Sequence, residues 1–89
     1  MVLGNVVTIK FFSLIREALD TDQLTLDLPE SVNTVADVKQ WLAATRGERW
    51  HETLFQPNVV QAVNQRVASP EQCVAAGDEI AFFPPMTGG

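Results

Sequence analysis

One stretch of this chain carries helical periodicity over several turns, and it stands between two alternating segments and a run of shorter extended ones. Thr34, followed three positions on by Asp37, resembles a capping box with Asp in place of the usual Glu. Val35, Val38 and Leu42 continue at the i, i+3, i+7 spacing of an amphipathic helix, and Trp41 can widen the apolar stripe beside Leu42. Gly47 is a stop signal, so the helix is expected from about Val35 to about Arg46. A chain of 89 residues has room for one small core, so this helix must bury its stripe against what the other segments build.

Those segments read as strands. Residues 6–12 alternate, with Val7, Ile9 and Phe11 on one face and Thr8, Lys10 and Phe12 on the other. Leu14 to Leu19 is expected to form a short helical turn, and Leu24, Leu26 and Leu28 alternate with Thr25 and Asp27 in a second strand. The two strands form a hairpin with a long connection. Arg49 to Phe55 is ambiguous between a helical turn and a loop, and Pro57 ends it before a strand at Val59 to Val63. A brief extended piece at Arg66 to Ala68 follows. Ser69-Pro70 and Gly77-Asp78 then turn the chain into a last strand, Glu79 to Phe83, with Ile80 and Phe82 inward and Glu79, Ala81 and Phe83 outward.

The order is therefore two strands, one main helix, then two or three short strands, with no internal repeat. A right-handed crossover through one helix is expected to set strands one and three parallel, giving a mixed sheet of four to five strands with the helix across one face. This is an α+β domain of the β-grasp, or ubiquitin-like, layout. It is expected over residues 1–83, with 84–89 as a flexible extended tail ending in Gly-Gly.

Composition narrows the classes of function. A hydrophobic fraction of 46% with 19% charged residues suits a folded domain. Six Lys and Arg against eleven Asp and Glu give a net charge of -5, and the basic residues are scattered, so neither nucleic acid nor an anionic membrane is expected as a partner. No stretch approaches a membrane span and Met1 to Val7 lacks the features of a signal peptide, so the expected setting is soluble and cytoplasmic. The single cysteine, Cys73, suits a reducing compartment and is expected to be an inert, partly buried small hydrophobe. No spacing of His, Cys or carboxylates suggests a metal site. His51 beside Glu52 reads as part of a solvated loop, since no serine or second histidine completes a catalytic group with them.

After the last strand the sequence reads Pro84-Pro85-Met86-Thr87-Gly88-Gly89. Two consecutive prolines lack backbone donors and favour an extended conformation, so they end the strand and project the remainder, with a reach of about 20 Å. Gly88 and Gly89 have no Cβ, so a narrow channel can accept them and bring the final carboxylate to a reactive centre. The chemistry this suggests is activation of that carboxylate as a mixed anhydride with AMP, which a sulfur nucleophile then displaces. Taken alone, a Gly-Gly terminus is equally a frayed end. Its position after a rigid spacer and a β-grasp body favours function.

Ala81-Phe82-Phe83-Pro84-Pro85-Met86-Thr87-Gly88-Gly89 resembles the C-terminal signature of molybdopterin synthase small subunits. Gly77-Asp78-Glu79, Ala62-Val63-Asn64-Gln65, and Phe11-Phe12 followed by Ile15-Arg16-Glu17 resemble the same family in order and spacing, from about Val6 onward. Met86 stands where other apolar residues are familiar, and the helix region carries little recognisable motif. The resemblance implies a sulfur carrier that binds no cofactor of its own and is not catalytic alone. Its Gly89 would be adenylated by an E1-like partner that uses ATP, then loaded as a thiocarboxylate from a sulfur donor protein. The tail would then enter a larger subunit of a heterotetramer and donate sulfur to cyclic pyranopterin monophosphate, building the molybdopterin dithiolene.

Phe12 and Phe83 sit on the polar faces of their strands, where large aromatics call for a cover. In the resembling family these positions, with the one matching Val67, pack against the large subunit, so Phe12, Val67 and Phe83 are the expected hydrophobic contact. Pro84, Pro85, Met86 and Thr87 are expected to follow it into the partner, and Arg16 to add a polar contact. Two other readings differ in kind: a carrier of the same type serving thiamine thiazole synthesis or protein conjugation, and a β-grasp interaction module with an idle tail. A self-contained enzyme using Cys73 or His51 has almost no support.

Overall fold

The computed structural model describes residues 5–84, so the expectations for Pro85, Met86, Thr87, Gly88 and Gly89 lie outside the described residues. Its first strand, β1 (Asn5–Phe11), has the period-two burial that its residues dictate, with Val7, Ile9 and Phe11 at most 1% exposed. The strand stops one residue earlier than expected. Phe12 keeps extended angles but caps α1 (Ser13–Leu19), which sends Ile15 and Leu19 into the core. Asp20 ends α1 in the left-handed region at φ 52°, where its N–H donates to the carbonyls of Arg16 and Glu17. β2 (Gln23–Leu28) then returns antiparallel, placing Leu24 opposite Ile9 and Leu26 opposite Val7.

The helix α2 (Val35–Arg46) has the boundaries that its sequence signals give. The Thr34 hydroxyl accepts from the Asp37 N–H at 3.1 Å, and the Asp37 carboxylate accepts from the N–H groups of Thr34 at 3.2 Å and Asn33 at 3.0 Å. The bond from Asn33, with those from Thr34, holds the Asp37 carboxyl below the usual carboxylate range against a smaller opposing effect of burial. Val35, Val38 and Leu42 are fully buried, and Trp41 packs against the core from the side. Gly47, at φ 105°, ends α2 and begins a further helix, α3 (Glu48–Leu54), in the stretch whose sequence is ambiguous. His51 and Glu52 therefore lie on a helix and are exposed, rather than in a loop. α3 contributes Trp50, Thr53 and Leu54 to the interior.

β3 (Val60–Val63) and β4 (Arg66–Ala68) form a hairpin through Asn64 and Gln65, both left-handed at φ 52° and 70°. Two such residues make the turn whose twist matches that of the flanking strands. β5 (Glu79–Phe83) completes a five-stranded sheet of order β2-β1-β5-β3-β4.

Strand direction corrects one expectation. The parallel partner of β1 is β5, while β3 pairs antiparallel with β5 and so runs opposite to β1. The physical reason is that α2 follows β2, so the crossover relates β2 to β3. Those two do run the same way, with β1 and β5 inserted between them.

Residues of all three helices join the inner sheet face in one core. Phe11 anchors it, meeting Trp50 edge-on at 5.4 Å and stacking on Phe82 at 5.9 Å. Cys73 is a second correction: it is exposed, because its extended segment bridges to Thr34 and turns the adjacent Val74 to the core instead. No described helix is long and apolar enough to cross a membrane.

Candidate functional site

The outer sheet face, opposite the helices, gathers most of the described residues singled out above. Alternation in β1 and β5 sends Lys10, Glu79, Ala81 and Phe83 to this face, and their parallel register sets Lys10 beside Ala81. Phe12 stays in the ladder through an N–H donated to the Phe82 carbonyl at 3.1 Å, which places its ring beside that of Phe83. The two rings stack at 4.7 Å, only 5° from parallel, and each remains half-buried. The outward position of both aromatics is thus a real surface feature, and stacking hides only one side of each ring.

Across β5 and β3 the register continues through Ala62 to Val67 of β4, which is 82% exposed. Phe12, Phe83 and Val67, expected as one contact, therefore line one depression of ≈ 340 Å³ together with Lys10, Ala62, Gln65, Glu79 and Ala81. Its polar edge is an ion pair between Lys10 Nζ and Glu79 Oε1 at 3.3 Å. Ala81 does face outward, but it is buried, because Lys10, Glu79 and Phe83 around it reach past its side chain, which ends at Cβ.

A polar clamp fixes the start of β5. Asn64 Oδ1 accepts from the Glu79 N–H at 3.0 Å, Asn64 Nδ2 donates to Asp78 Oδ1 at 3.0 Å, and Asp78 Oδ2 accepts from the Ala75 N–H at 2.8 Å. The segments Ala62–Gln65 and Gly77–Glu79, separate in sequence, meet here.

Three other residues stand apart from the depression. Arg16 lies on α1 and lines a separate hollow with Glu17, Asp20, Thr21 and Asp22, so the structure does not join it to Phe12, Val67 and Phe83. His51 stacks on Phe55 at 4.8 Å, and Lys39 Nζ lies 4.7 Å from the same ring, where burial lowers its pKa. Cys73 belongs to the bridged segment before β5 and has no part in that group. Among the described residues no cluster of His, Cys, Asp or Glu can hold a metal ion. Pro84, half-buried, follows Phe83 directly, so the chain leaves β5 beside the aromatic stack.

The residues that sequence reasoning missed here are Lys10, Glu79, Ala62 and Gln65. Their outward parity is legible within each strand, but only the pairing of strands distant in sequence sets them around one depression.

The chain matches the ThiS family over residues 9–89. It is 38% identical over 85 residues to the molybdopterin synthase sulfur carrier subunit of Escherichia coli (strain K12), an alignment covering 93% of this chain and 99% of that protein. A Pyrococcus furiosus protein assigned as molybdopterin converting factor subunit 1 superposes with a TM-score of 0.77 at 28% identity, covering 93% of this chain and 100% of that one. The fold also matches a chain of the protein–protein complex of subunits 1 and 2 of molybdopterin-converting factor from Helicobacter pylori, with a TM-score of 0.63 at 20% identity over 94% and 99% of the two chains. By its sequence and its fold, this chain is a ubiquitin-like β-grasp protein that belongs to the ThiS family, among the molybdopterin synthase sulfur carrier subunits.

Proposed function

We propose that this chain is the sulfur-carrier small subunit of a molybdopterin synthase, and that the Gly89 carboxylate is its working group. The observation that carries this reading is the 38% identity, over nearly the whole chain, to a molybdopterin synthase sulfur carrier subunit. An uncovered aromatic stack at the root of the tail supports it, because a carrier needs a docking surface beside the segment it delivers.

In this reading a Gly89 carboxylate oxygen attacks the α-phosphorus of ATP on an E1-like partner and pyrophosphate leaves. A donor protein's persulfide sulfur then attacks the acyl carbon and displaces AMP, and a thiol cleaves the S–S bond of the resulting acyl disulfide, leaving the thiocarboxylate on Gly89 and a disulfide on the donor. The large subunit takes the tail, with Pro84, Pro85, Met86 and Thr87 lining the path and Gly88 passing the narrowest point. Two transfers to cyclic pyranopterin monophosphate install the dithiolene sulfurs, and after each one water hydrolyses the acyl–sulfur bond, leaving the sulfur on the pterin and returning Gly89 to the carboxylate. The chain supplies recognition and the sulfur, while the partner enzymes supply activation and catalysis. Phe12, Val67 and Phe83 dock on the large subunit, and Arg16, being remote from them, contributes at most at the margin.

The deciding experiment is the mass of the intact protein purified from cells with an active pathway. A population with one terminal oxygen replaced by sulfur is expected. Its absence under conditions where the adenylating enzyme and a sulfide source are present would reject the carrier role.

A further inference from the structure

The outer face holds two alanines where a sheet ordinarily places larger residues. Ala81 and Ala62 are paired in register on adjacent strands, and both are buried, at 6% and 5% exposure, on a face that the helices leave uncovered. The row they occupy runs Lys10, Ala81, Ala62, Val67 across four strands, so two side chains that end at Cβ sit between two that extend further. The stacked rings of Phe12 and Phe83 wall one end of this gap, and Glu79 and Gln65 line the other. The two alanines are thus the shortest side chains lining the ≈ 340 Å³ depression, and the longer side chains around them rise past their methyl groups and cover them from the sides.

We propose that Ala62 and Ala81 form the floor of a socket that receives a single apolar side chain, a Leu, Met or Phe, from the large-subunit partner. The inference rests on the docking role given above to Phe12, Val67 and Phe83, and it specifies what that surface accepts. The occupant is apolar because the floor is two methyl groups and the walls are Phe12, Phe83 and Val67. It comes from the docked partner because the socket is continuous with the three residues that dock it. A knob seated here is fully removed from water, the setting in which interface hot spots concentrate. The Lys10–Glu79 pair on the rim, about one-third exposed on each side, favours a knob flanked by polar groups over a uniformly apolar surface.

Calorimetric titration of the chain with a molybdopterin synthase large subunit tests this, using Ala81→Leu and Ala62→Leu to fill the socket and Phe83→Ala as the reference. Filling the socket should weaken binding by at least about tenfold, while the melting temperature stays near that of the parent because the new side chain points away from the core. A second readout needs no variant: in the native complex the Ala62 and Ala81 methyl groups should show intermolecular nuclear Overhauser contacts to one apolar side chain of the partner. Unchanged affinity in both Leu variants with Phe83→Ala weakened, or no such contacts in a complex where the Phe83 ring shows them, would overturn the socket and leave the docking surface standing. Unchanged affinity in all three variants would remove the docking surface and the socket together.

Discussion

At the scale of single residues, Phe83 and Gln61 show how the two sheet faces differ. Phe83 is held flat against Phe12 and half-buried, so its removal deprives a partner of contact area without opening the core. Phe83→Ala should cost about 2 kcal/mol of binding to the large subunit, roughly a thirtyfold loss of affinity, with the fold intact. Titration against the parent chain checks this, and undiminished affinity would count against the assigned contact. Gln61 is buried on the inner face, where its Nε2 makes a long 3.4 Å bond to the Ala68 carbonyl and its Oε1 has no partner. An unpaired buried acceptor is destabilising, so Gln61→Met should raise stability by about 1 kcal/mol in urea denaturation. Alternation gives Gln61 the face of Val59 and Val63, but its residue type alone reads as a surface glutamine. Its burial follows from the position of β3 between β5 and β4.

Among the elements, α2 was the most legible, because its start is set by a side-chain cap and its body by a repeating stripe, both local in sequence. The cap also makes a prediction. The folded state binds the charged form of Asp37 through backbone donors, so its pKa is lower than in the unfolded chain. The stabilisation is therefore complete above the unfolded pKa and is lost as pH falls through the lowered, folded one. Asp37→Ala should be less stable than the parent at neutral pH, and the gap should close in strongly acidic solution. Denaturant midpoints across that range measure it, and a gap independent of pH would contradict the cap. α3 was not legible as a helix, since seven residues give barely two turns of pattern and its start has no side-chain cap. The parity of each strand could be read from alternation, which placed Phe12 and Phe83 outward correctly. Which strands neighbour one another could not, and the parallel pair was expected at β3 instead of β5 because local pattern carries no information about distant partners. The same gap hid the grouping of Lys10, Ala62 and Glu79, and it let Cys73 pass for partly buried when its neighbour Val74 takes the inward place.

For the molecule as a whole, the proposed function gives recognition to the sheet face and chemistry to the terminal glycines. Deleting Gly88 and Gly89 should leave the melting temperature nearly unchanged and retain most of the affinity for the large subunit, because Phe12, Val67 and Phe83, the residues proposed to dock it, belong to the folded body. The same deletion should abolish ATP-dependent adenylation and conversion of precursor to molybdopterin in an assay with the adenylating enzyme and a sulfide source. Product from the shortened chain would transfer the carrier role away from Gly89. Pro84 also follows a strand in the middle of the sheet, since β5 lies between β1 and β3, with ladder hydrogen bonds along both of its edges. Tension applied through Pro84 along the strand is thus borne as shear by two rows of bonds at once, so a partner that draws on the end of this chain meets a body anchored like a rope spliced into its centre rather than a hem that unravels from one side.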